Sequence, residues 1–197
     1  MPVKRPARKN RKSSPDALTF LRSDHAKVEK LLKKLQNATN RDTQRNIFAQ
    51  IDSELQAHTR IAEELFYPAF KVATKGRTNQ GLYFEAIEEH HVVDLLLPGM
   101  RTTTLSKDVF SAKAKVLRDV VEHHIEAEEG AMFPIARKAM GVQKLKDLGR
   151  RMQMRKDQIS VGMWDQSLEL INPFVSRTFK PASRQKTNRT TAKKRVA

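Results

Sequence analysis

The chain has 197 residues, a net charge of +16 and no cysteine. Without thiols, disulfides, thiolate zinc sites and iron–sulfur clusters are excluded, which leaves imidazole and carboxylate as the strong side-chain metal ligands. The charge is concentrated at the ends. Residues 1–12 hold six Lys/Arg and residues 177–197 hold eight, with no acid in either, leaving 24 basic and 22 acidic residues between them.

The body is therefore nearly neutral and only the tails are basic. Runs such as Lys4-Arg5-Pro6-Ala7-Arg8-Lys9 neutralise phosphates without reading sequence. Non-specific nucleic-acid contact is one expected role for the tails, and solubility is the other. The opening MPVKRPARKNRKSS has no apolar stretch behind it and does not read as a secretory signal. No apolar run approaches the roughly 18 residues needed to span a bilayer. The expected compartment is the cytoplasm, with no membrane partner.

Helix signals dominate the chain in order. Ser14 before Pro15 reads as an N-cap with proline at the first helical position. Leu21, Val28, Leu32 and Leu35 then form an apolar stripe that includes His25. Asn37 to Asp42 ends this helix, and Asp42 can cap the next. Its stripe is Ile47, Ile51, Leu55, His58, Ala62, Leu65 and Ala69. After a break at Gly76 and Thr78-Asn79, a third helix from about Gln80 carries Ile87, His90, Asp94 and Leu97, until Pro98-Gly99 stops or kinks it.

Ser106 can cap a fourth helix with the stripe Leu117, Val120, His124, Glu128, Ala131 and Ile135, ending at Gly141. A shorter fifth helix, residues 142–159, shows Leu145, Leu148 and Met152. No segment alternates like a strand, so the expected class is all-α. The expected organisation is a basic tail over 1–14, a helical body over 15–160 and a C-terminal extension with a basic tail over 161–197.

The six histidines fall in four helices, at least one in each on the stripe facing the core. A single imidazole there is ordinarily a hydrogen-bonded core residue. Four together would bury several unpaired polar groups at a cost of a few kcal/mol, which a shared metal removes. The segment His58 to Pro68 aligns without gaps on His124 to Pro134, and His25–His58 and His90–His124 have nearly equal spacings, so two similar hairpins are expected around a pseudo-two-fold axis. Residues i and i+4 share a helix face roughly 6 Å apart, so His124 and Glu128 can reach one small ion cluster. Nitrogen and oxygen donors without sulfur suit iron, manganese or zinc.

The segments SDHAKVEKLL, AHTRIAEELFYPAF, EEHHVVDLLL and HHIEAEEGAMFPIAR resemble those of the hemerythrin-like family of His-His-Glu cation-binding domains, over roughly residues 16–157. LGRRMQMRK resembles the segment that follows in bacterial relatives. The resemblance implies an up-down-up-down four-helix bundle and a non-haem iron site, most often a di-iron pair. It implies His25, His58, His90, His124 and Glu128 as ligands. It also implies dioxygen, nitric oxide or iron as the species bound or sensed, with turnover of peroxide or these gases as the enzymatic alternative.

Two departures stand out. Ala62 replaces the carboxylate expected four residues after His58, and Asp94 replaces a histidine one turn after His90. On a regular helix Glu63 would point away from the ions. A one-residue π-bulge before Pro68 would turn it inward as the helix-two ligand, the expectation adopted; otherwise the helix stays regular and that half of the site has only His58, with a weakly held second metal.

Overall fold

The computed structural model describes residues 15–74, 76–102 and 106–171, with side chains described except at 77, 78 and 161–171. The described residues form helices and their connections, with no strand among them. They are α1 (Ala17–Asn37), α2 (Arg41–Ile61), α3 (Tyr67–Ala73), α4 (Arg77–Arg101), α5 (Lys107–Ala127) and α6 (Phe133–Ile171). A π turn, Ala62–Phe66, joins α2 to α3, and a second, Glu128–Met132, joins α5 to α6. Residues 41–73 and 107–140 therefore run as two long rods, which with α1 and α4 make the four-helix bundle. Among the described residues, backbone contacts set those up to Ile159 apart from those from Ser160 onward.

The starts of the helices have concrete donors to satisfy. Asp16, not Ser14, caps α1, its Oδ1 accepting from the Thr19 amide at 2.9 Å; Ser14 lies outside the described residues. Asn40 rather than Asp42 caps α2, accepting from the amides of Asp42 and Thr43, because its side chain stands just ahead of the two orphan donors. Ser106 caps α5 as expected. Helix α4 starts at Arg77 and continues through Pro98 to Arg101, since a proline this near the end breaks only one helical bond. At Gly141 the backbone turns to φ 73°, and the helical residues beyond it form the fifth helix, which runs to Ile171 and so past the expected end.

Both π turns change which residues face inward. The expected stripes continue through Leu65 and Ala69, and through Ala131 and Ile135. The buried residues are instead Phe66 and Phe70, and Met132 and Ala136, one position later in each rod. One residue inserted into the turn shifts the register by one. The hydrogen bonds record it: the Tyr67 amide donates to the carbonyl of Ala62 and the Phe133 amide to that of Glu128, each five residues back. Pro68 and Pro134 follow directly and can donate no amide themselves.

The core is split into two apolar clusters. One gathers Leu21, Ile61, Ala86 and Met132 with Leu145, Leu148 and Met152 of the fifth helix; the other gathers Val28, Leu55, Val93 and Val121. On every rod a histidine sits between the two: His25, His58, His90 and His124, all buried. A polar layer thus crosses the middle of the bundle, between the two apolar clusters.

Candidate metal centre

The four imidazoles pack against one another in a pattern with two-fold character. His25–His58 and His90–His124 have ring centroids 5.0 and 4.7 Å apart at 51° and 46°. His25–His124 and His58–His90 are 6.2 and 5.6 Å apart at 82° and 80°. The internal repeat is therefore expressed as symmetry at the site.

Three of the rings are held from outside by carboxylates. Nδ1 of His25 donates to Glu129 at 2.8 Å, Nδ1 of His90 to Glu63 at 3.0 Å and Nδ1 of His124 to Glu89 at 2.9 Å. A carboxylate only accepts, so each bond fixes the proton on Nδ1 and puts the lone pair on Nε2, free of a hydrogen-bond partner in His25 and His124. Glu63 and Glu129 hold matching positions in the two π turns and do matching work. The π turn does bring Glu63 to the site layer, as a partner of His90.

Within the layer, one donor atom each from His25, His58, His124 and Glu128 lies within 4.8 Å of all the others. Glu128 is 1% exposed; its Oε2 is 3.2 Å from Nε2 of His25 and 3.9 Å from Nε2 of His124. His90 stands beside this group, and the hydroxyl of Tyr67 is 3.3 Å from its Nε2. Nε2 of His25 and His124, both nitrogens of His58 and both oxygens of Glu128 are buried without a hydrogen-bond partner. Buried polar atoms are rarely left so. One donor atom from each of four side chains, all nitrogen or oxygen and within 4.8 Å of one another, fits a cation of the iron, manganese or zinc type.

The electrostatics agree. Burial pulls His25 down, but the Glu128 and Glu129 carboxylates outweigh it and raise its pKa. Burial, then the other imidazoles, hold His58 well below the usual value. Burial tends to raise Glu128, yet the neighbouring imidazoles, that of His25 foremost, outweigh it and hold its pKa below the usual carboxylate value. Burial, then Glu128 and the other acids, push Tyr67 well up, and its phenol is neutral. Phe133 stacks on His25 at 9°.

Four further side chains of these helices face elsewhere. Asp94 is exposed, with Val93 inward in its place. Glu64 is gripped by Arg155 through two bonds of 2.6 and 2.8 Å. His91 and His123 are 57% and 63% exposed, although His123 also donates to Glu89. Glu89 and Glu129 were not anticipated. The signal available in the sequence was an acid placed directly before His90 and an acid pair repeated after His58 and His124.

The fold and this layer define an all-α protein with a buried imidazole–carboxylate site of metal-binding type. The chain belongs to the hemerythrin HHE cation-binding domain family, whose model matches residues 16–136. A crystal structure of a hemerythrin HHE cation binding domain-containing protein from Mycobacterium kansasii superposes with a TM-score of 0.66 at 27% identity, covering 79% of this chain and 93% of that one. An uncharacterized protein of Mycobacterium tuberculosis is 29% identical over 146 residues, 73% of this chain and 87% of its own length. A protein of Nostoc sp. named as a DNA nickase is 27% identical over 139 residues; the match takes in 71% of this chain but only 38% of that protein. No helix among the described residues is long and apolar enough to cross a membrane.

Proposed function

We propose that the layer holds a pair of iron ions and that the chain binds or senses dioxygen, nitric oxide or iron itself. In this reading His25, His58, His90, His124 and Glu128 are the donors. Glu63 orients His90 as Glu129 orients His25. The observation that carries it is the meeting of one donor atom each from the buried side chains of His25, His58, His124 and Glu128 within 4.8 Å, backed by three imidazoles whose Nδ1 is already taken. Iron would supply a one-electron couple and coordination positions open to a diatomic ligand. The protein supplies the rest: apolar clusters above and below keep water out, and the Nδ1 bonds fix each ring. Residues 15–160 form the metal-binding body in this scheme, flanked by the segments 1–14 and 161–197.

The test is metal analysis of the purified full chain together with its visible spectrum, which separates iron from zinc. About two iron ions per chain are expected, as a bridged pair requires. The double variant His58→Ala, His124→Ala should lose stoichiometric iron; full retention would sink the assignment.

A second reading adds nucleic acid. The acid-free basic tails support it, as does the name of the Nostoc relative. Deleting residues 1–12 and 177–197 should flatten the salt dependence of DNA binding by roughly 0.9 in log–log slope per lost phosphate contact. Unchanged DNA affinity would assign the tails to solubility.

A further inference from the structure

His25, His90 and His124 each donate from Nδ1 to a carboxylate, whereas neither nitrogen of His58 is bonded. The pseudo-two-fold relation indicates where the missing partner comes from. It exchanges His25 with His90 and His58 with His124, so Glu89, directly before His90, maps onto Asp24, directly before His25. The image of the Glu89 Oε2–His124 Nδ1 bond is then Asp24 Oδ2 to His58 Nδ1. Both of these atoms are buried and unbonded.

Asp24 is 6% exposed, an unusual place for a carboxylate. Its Oδ1 accepts from Lys156 Nζ at 2.6 Å, and the same ammonium reaches Glu54 Oε2 at 3.1 Å. Glu54 lies one turn before His58 on α2, so this charge cluster fixes Asp24 on the side of α1 that faces α2. Aspartate is one methylene shorter than glutamate, which explains why the bond is closed in one half of the site and open in the other.

We propose that Asp24, clamped by Lys156, is the positioning residue of His58: its Oδ2 accepts a hydrogen bond from the Nδ1 N–H, directly or through one water, and turns Nε2 toward the metal. The inference rests on the metal-centre reading above. It also gives the fifth helix a role, because Lys156 lies beyond Gly141. Closing one half of the site then depends on a helix outside the four-helix bundle.

The experiment uses the full chain labelled with 15N-histidine, metal-free and at neutral pH. Long-range 1H–15N correlation reports the tautomer of each ring, and the His58→Gln variant assigns the signal. His58 should carry its proton on Nδ1; a proton on Nε2 overturns the proposal without recourse to any further variant. Iron(II) affinity, measured anaerobically by chelator competition, provides the second readout. Asp24→Ala should weaken binding about 10–100-fold, the usual effect of removing a carboxylate behind a ligating imidazole. Asp24→Glu, matching the length of Glu89, should restore it. Unchanged affinity in a folded Asp24→Ala protein refutes the role of Asp24. Absence of iron binding in the wild type refutes the metal reading instead, while the tautomer still decides the proposal about Asp24.

Discussion

Glu128→Gln isolates the carboxylate at the middle of the site with almost no change in shape. The native side chain is 1% exposed, lies near Nε2 of both His25 and His124, and has no hydrogen-bond partner for either oxygen. A bond to a charged group contributes about 1.5–3 kcal/mol, so exchanging this anionic donor for an amide should weaken iron by roughly 100-fold, at 1.36 kcal/mol per tenfold. Stabilisation by a ligand follows RT ln(1 + [L]/Kd). At free iron about 100 times the wild-type Kd, the native chain gains about 2.7 kcal/mol. The variant, then near its own Kd, gains only about 0.4 kcal/mol by the same relation. For a chain of this size about 1 kcal/mol moves Tm by roughly 2–4 °C, so the iron-induced shift should fall from about 5–11 °C to about 1–2 °C. The metal-free Tm should fall much less than the loaded one, because relief of a buried charge offsets the lost attraction to His25. Paired melts with and without iron check both numbers. An equal iron-induced shift in the two proteins would refute the reasoning. So would a metal-free Tm that falls as far as the loaded one, which would make Glu128 a structural partner of His25.

Two further perturbations probe how the fifth helix is held. A Cβ on Gly149 would lie 2.7 Å from the carbonyl carbon of Asp16 and 2.8 Å from the amide of Ala17, all rigid backbone. Gly149→Ala should therefore cost about 1–3 kcal/mol, offset in part by about 1 kcal/mol of helix propensity, and lower Tm by a few degrees with or without iron. Glu54 lies between Lys27 at 2.5 Å and Lys156 at 3.1 Å; burial tends to raise its pKa, but the two ammonium groups outweigh it and hold it below 4.5. A depressed folded pKa contributes stability above pH 4.5 that is lost as pH falls through the folded value, so Glu54→Gln should flatten the acid limb of stability below that point. Melts across this range check it, and an unchanged slope would remove Glu54 from the account.

Much of this was legible in the sequence because burial and helix period act residue by residue. His25, His58, His90 and His124 each stood in an apolar stripe, and each is buried. The stripes beyond Ala62 and Glu128 were misplaced for a definite reason. A periodicity count assumes about 100° per residue throughout, and a π turn breaks that assumption once in each rod. The two prolines signalled where, and did so twice at matching positions. The carboxylates behind the imidazoles were harder to see. They come from other helices, so no local spacing reveals that Glu129 meets His25 or that Glu89 meets His124. Lys156 was out of reach altogether, because only the packing of the fifth helix brings it to Asp24.

The two halves of the site share a frame and differ in three side chains. Glu128, Phe133 and Glu89 correspond to Ala62, Tyr67 and Asp24. A carboxylate at position 62 would face His58 and His90 as Glu128 faces His124 and His25. What stands near Nε2 of His90 instead is the Tyr67 hydroxyl, buried and held neutral by burial and by Glu128. A neutral phenol offers an ion far less than a carboxylate does. On the proposed assignment the half built on Glu128 fills first and the half built on His58 and His90 binds a second iron more weakly. Titration of the metal-free chain with iron(II) should therefore be biphasic. Ala62→Glu should draw the two phases together, provided a folded protein is confirmed by its helical circular dichroism. Glu63→Gln should leave the iron count unchanged, because its amide oxygen can still accept from Nδ1 of His90. Equal affinity for both ions in the wild type would refute the asymmetry directly, and loss of iron in Glu63→Gln would return Glu63 to the ligand set.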